Sequence, residues 1–122
     1  MCLNKKGLKT FKDNNKIRIG YKIFKKDEKG YKNIYYDTRN YIKIGEWKEN
    51  VNSYNEIIYS GGIRNLYSYK AGYHFYDTPL TNKVRPFEVM VECICENITA
   101  IGTQNYNDKA FVAQSYRLMR EV

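Results

Sequence analysis

The chain has 122 residues, enough for one domain with a single core and too few for a second. Hydrophobic residues make up 43% and charged residues 28%, which excludes bulk disorder, and no stretch approaches the ~20 apolar residues of a membrane-spanning helix. The formal charge of +8 is unevenly placed: residues 1–50 carry fourteen Lys/Arg against six Asp/Glu, and residues 51–122 carry seven of each.

A basic first half suits an anionic partner, whether nucleic acid, a nucleotide or an acidic protein face, although a lysine-rich solubilising surface gives the same count. Thirteen tyrosines suggest sheet structure, since tyrosine favours strands and buries a large ring behind a polar tip. The cysteines, Cys2, Cys93 and Cys95, are odd in number. Two of them alternate on one apparent strand, where Cα atoms roughly 6.5–7 Å apart sit at the edge of disulfide reach. A reducing bacterial cytoplasm is therefore the expected compartment, and no apolar run follows the basic N-terminus to make a signal peptide.

Residues 1–16 read as a flexible basic leader with a short strand around Leu8 to Phe11, and residues 17–122 as a single β-rich domain. Tyr21 and Ile23 alternate with Lys22 in the period of a strand over 19–25. Lys26-Asp27-Glu28-Lys29-Gly30 supplies a moderately long hairpin loop, after which Tyr31 to Tyr36 resumes β-type composition. A third short strand is expected over 41–44, closed by Gly45. Trp47, the only tryptophan, is expected as a core plug because its ring buries so much area. Ile57-Ile58-Tyr59 gives a short buried strand, broken by Ser60-Gly61-Gly62.

The densest stretch runs from Tyr67 to Pro79 and holds five aromatic residues and the only histidine, His74. Pro79 ends it and can begin a helical turn through 80–84. The clearest strand follows, with Phe87, Val89, Val91, Cys93 and Cys95 on one face. A further strand is expected over 97–103, then a turn-rich loop at 105–109 and a closing strand over 111–119. Helix spacing is also present in that last segment, but no capping box precedes it.

Few residues suggest chemistry. Cys93 and Cys95 lack the gap of a zinc knuckle, and on a core face their thiols are inert packing. No metal or other cofactor is expected, and there is no Ser-His-Asp set, paired-carboxylate site or Walker motif. His74 is either a satisfied structural histidine or, with Tyr76 and Asp77, part of a pocket lining. Ser60-Gly61-Gly62-Ile63-Arg64-Asn65 has the composition of a turn and also of an anion nest around Arg64. Lys22, Lys25, Lys26 and Lys32 interleaved with Tyr31, Tyr35 and Tyr36 resemble single-strand nucleic-acid surfaces, on which rings stack bases and cations hold the backbone.

The pieces Gly72-Tyr73-His74-Phe75-Tyr76-Asp77-Thr78-Pro79, Glu88 to Cys95, and Val112-Ala113 to Met119 resemble small uncharacterised β domains encoded by phages and prophages. Gly20-Tyr21-Lys22-Ile23-Phe24 and Gly45-Glu46-Trp47 share the likeness, which covers about two-thirds of the chain. That resemblance implies a mobile-element origin and an anti-defence role of the anti-CRISPR kind, with no catalytic residues to carry over.

The expected fold is mainly β, with α+β as the alternative: a small antiparallel sheet or partly open barrel with at most one or two short helices. The expected function is non-enzymatic inhibition of a host defence component, by occupying the surface of a protein or ribonucleoprotein or by sequestering a small nucleotide. Alternatives are a nucleic-acid module using the basic half and a small group-transfer enzyme centred on His74. The candidate binding residues are Lys22, Lys25, Lys26, Lys32, Arg64, Tyr69, Tyr73, His74, Tyr76 and Asp77.

Overall fold

Strand-forming tyrosines and β-branched residues, punctuated by turn residues, leave little chain with a reason to be helical. The computed structural model describes residues 3–12, 14–35, 38–52, 54–59, 66–105 and 107–122. These form ten strands in chain order: β1 Asn4–Thr10, β2 Ile17–Asp27, β3 Gly30–Asn33, β4 Tyr41–Ile42, β5 Trp47–Glu49, β6 Asn55–Tyr59, β7 Leu66–Lys70, β8 Tyr73–Tyr76, β9 Glu88–Gln104 and β10 Asp108–Glu121. The described residues include no α-helix, and a 3-10 turn at Thr81–Lys83 follows Pro79 as expected.

Eight strands make one antiparallel sheet in the order β1-β9-β10-β8-β2-β3-β4, with β5 on β10, while β6 and β7 pair separately. β2 also pairs along β9 from Ile17↔Glu96 to Lys25↔Glu88. The sheet therefore curls until β2 meets β8, but that seam holds a single bridge, Tyr21↔Tyr76. The sheet is curled and is not a closed barrel.

Long β9 is the axis of the fold. Expected as two strands, 87–96 and 97–103, it runs unbroken for 17 residues. Asn97 takes φ 57°, and just after it the register against β10 slips between Ile98 and Ala100, a β-bulge that bends the strand without ending it. The chain before β2 is tied to this bend: Asn14 donates from its amide to Asn97 Oδ1 and from Nδ2 to the Ile98 carbonyl.

The core is largely aromatic. Phe75 stacks on Phe111 at 5.5 Å, and Tyr116 meets Phe75 at 5.3 Å and Tyr73 at 4.8 Å, both edge-on. Such pairs stabilise by about 0.5–1.5 kcal/mol beyond their buried area. Cys93 and Cys95 lie fully buried against this cluster, on the face that their alternation predicts. A polar knot anchors the entry to β8: Gln114 Nε2 donates to the Ala71 carbonyl, Asn50 Nδ2 to Gln114 Oε1, and Thr99 Oγ1 to the Lys70 carbonyl.

Several expectations are corrected. The strand expected around Leu8 to Phe11 is longer and earlier: β1 covers Asn4–Thr10 and pairs with β9, and Leu3 just before it is buried. The hairpin loop is short, because Asp27 pairs with Gly30 and leaves Glu28 and Lys29 as the turn, with Gly30 at φ 129°. Trp47 is 45% exposed and is no core plug. It lies on a three-residue edge strand paired to β10, with the Arg117 guanidinium 5.4 Å from its ring. Phe87 is 88% exposed: it precedes β9 in a tight turn at φ 66°, off the apolar face assigned to it.

Candidate functional site

β2 alternates as predicted, and the side turned to the core carries Gly20, Lys22 and Phe24. Gly20 is there because space forbids more: a Cβ would lie 2.5 Å from the Phe111 ring and 2.8 Å from Phe75. Lys22 thus enters an apolar interior from the middle of a strand. Its Nζ sits 5.4 Å from the centre of the Phe75 ring and donates to the His74 carbonyl at 3.0 Å. Where β2 and β8 part beyond Tyr21↔Tyr76, the ammonium takes the place of a ladder partner.

The parting leaves a cleft of about 530 Å³. Lys22, Ile23, His74 and Tyr76 form its strand walls. Ile34 and Tyr35 border it after β3, and Asn82, Lys83, Val84, Arg85 and Glu88 close it from the turn after β8. Tyr35 is 72% exposed and stands at the mouth. Asn105 Nδ2 donates to the Tyr76 hydroxyl at 3.0 Å, fixing that ring at the rim.

Basic groups dominate the wall: Lys22, Lys83 and Arg85 against the carboxylate of Glu88. Glu88 accepts from the Arg85 amide at 3.0 Å, and Lys83 is paired with Asp108 at 2.9 Å, which holds its amine above the usual lysine value. Burial pulls Lys22 down to about 8, although part of its side chain reaches the cleft. Burial, with Lys22 repelling a second positive charge, pulls His74 down to about 3. The imidazole is therefore neutral at physiological pH, and its Nε2 is buried without a hydrogen-bond partner.

The cleft unites Lys22, His74 and Tyr76 from the sequence-predicted set. Asp77 lies just beyond, its Oδ2 3.4 Å from Arg18. Tyr73 is a core residue, 1% exposed. Tyr69 is also buried, accepts from the Leu3 amide, and borders a second groove with Phe11 and Lys12. Lys25, Lys26 and Lys32 are on the β2–β3 hairpin, where Lys26 pairs with Glu121 at 2.6 Å and Lys32 lies over the Tyr41 ring. Arg64 and its glycine pair fall outside the described residues, as do Tyr36 and Cys2. The sequence reading missed Asn82 to Arg85, where two cations alternate in the turn after Pro79; that spacing was the available signal.

Among the described residues lining the cleft no nucleophile is paired with a base: His74 Nε2 has no hydrogen-bond partner, and Lys22 faces a carbonyl. Cys93 is pushed up to about 12 by burial and Cys95 well above the ordinary thiol value, so both are inert packing. Among the described residues no cluster of His, Cys, Asp and Glu could hold a metal ion, and no helix is long and apolar enough to cross a membrane. No family model, curated protein or solved structure matches the chain.

Proposed function

We propose that the protein is a non-enzymatic binding protein of the phage anti-defence type, and that it sequesters a small anionic ligand of the nucleotide class in the β2–β8 cleft. The observation that carries this is the lining. A cleft of about 530 Å³ has the size of small-molecule sites, which join apolar walls to a few convergent polar groups. Here Ile23, Ile34, Val84 and Tyr35 offer apolar and aromatic surface for a base, and Lys22, Lys83 and Arg85 offer positive charge for phosphate. Sequestration needs nothing more than this.

Gentle purification at low ionic strength, followed by native mass spectrometry, tests it. One small anionic adduct per chain, absorbing near 260 nm once released, is the expected result. A bare chain mass together with no binding of added mononucleotides or cyclic dinucleotides would remove the proposal.

Occupation of a partner protein's surface is a second reading, favoured by one feature. The strand pairings set Trp47, Arg117, Ile94 and Ile19 in a row across β5, β10, β9 and β2, with Trp47 and Ile19 nearly half exposed. The hairpin supports nucleic-acid binding less, because Glu121 already neutralises Lys26.

A further inference from the structure

Lys22 is a half-buried cation whose ammonium lies against the Phe75 ring, with no counter-ion among the described residues. Among the described residues no carboxylate pairs with it, and its contacts are a carbonyl and the face of a ring. The groups around it bring no compensating charge. From β8 come the His74 carbonyl and the Phe75 ring, with a neutral imidazole nearby. From β9 come the Cys93 and Cys95 thiols, both held protonated by burial. Around the cleft stand Arg85, Lys83 with its own partner Asp108, and Glu88 held by the Arg85 amide.

An unpaired charge drawn out of water is costly, and strands normally avoid one. This one borders a cleft whose other cations are at the rim. A dianionic phosphate entering the cleft would supply the missing charge and would favour the protonated amine.

We propose that Lys22 is the charge-pairing anchor for the phosphate of the bound ligand, and that binding is coupled to proton uptake at this amine. The proposal rests on the cleft's being a ligand site and adds which group holds the anion and how pH controls it. In the empty protein the amine loses its proton near pH 8; with phosphate beside it the proton is kept to higher pH. Affinity is therefore full below pH 8 and falls above it, by about tenfold between pH 7 and pH 9.

The probe is adenosine 5′-monophosphate, whose second phosphate ionisation, near 6, is nearly complete across that range. Calorimetry in buffers of different ionisation enthalpy reads affinity and proton uptake together. The lysine side-chain NMR signal of Lys22 reads its titration directly, with and without the nucleotide. Expected are a free-state midpoint near pH 8, an upward shift on binding, and uptake approaching one proton per nucleotide at pH 9. Lys22→Met should fold, because it removes an uncompensated charge, and should bind at least about tenfold more weakly with no pH dependence.

If the nucleotide binds with affinity flat from pH 7 to 9 and the Lys22 midpoint does not move, the anchor role is overturned and the cleft remains a ligand site. Absence of nucleotide binding at every pH removes both. The NMR titration uses the unmodified protein, so the test survives if Lys22→Met does not fold.

Discussion

His74 shows how one residue's surroundings fix what it can do. Two strands and a nearby ammonium leave it neutral, with its pKa pulled to about 3 by burial first and Lys22 second. The unfolded chain takes up a proton near 6.5, whereas the folded chain does not until far lower pH. Stability is therefore intact above pH 6.5 and is lost as pH falls from there toward 3. Against His74→Gln, the native protein should lose about 2 kcal/mol more between pH 7 and pH 5 in chemical denaturation. Equal losses in the two proteins would show that the imidazole titrates freely. Lys22, Trp47 and Phe87 are the residues the sequence misplaced or left unplaced. Lysine at a core-facing position and tryptophan at an exposed one run against the averages from which burial is inferred, and only the register of β2 on β9 and of β5 on β10 reveals them.

Strands were the readable scale. Alternation identified β2 and the first half of β9, because period two is local information, whereas β10 was read as a strand from its lack of a capping box. The union of 87–96 with 97–103 was not readable, since the register slip between Ile98 and Ala100 is a bulge that no local pattern announces. Nor was the seam between β2 and β8, a pairing of distant segments reduced to one bridge. Yet that seam makes the cleft, and three of its wall residues, Lys22, His74 and Tyr76, were already candidates on local grounds. β2 depends on Gly20 for its approach to β8 and β10: a methyl there would press on Phe111 and Phe75 at under 3 Å. Gly20→Ala should cost about 1–3 kcal/mol in denaturant-measured stability by overpacking, with the far-UV spectrum retained. An unchanged midpoint would mean that the aromatic pair shifts freely and that packing does not hold the seam.

Across the whole molecule, charge and shape divide the work. The excess of lysine lies in the first fifty residues, but part of it is spent locally, as in Lys26 with Glu121 and Lys16 over Phe11. The cleft draws its cations from both halves, Lys22 from the first and Lys83 with Arg85 from the second, a convergence that charge counting along the chain cannot see. A curled sheet open at one seam leaves strand walls beside a small basic cleft, the feature on which the proposed nucleotide binding rests.

The most direct measurement is a nucleotide titration of the isotope-labelled protein, followed by backbone amide shifts at low salt, with mononucleotides and cyclic dinucleotides as ligands. Shifts concentrated at Lys22–Ile23, Ile34–Tyr35, His74–Tyr76 and residues 82–88, saturating at one ligand per chain, are the predicted result. Saturating shifts confined to the β2–β3 hairpin, or no shifts with any nucleotide, would contradict it.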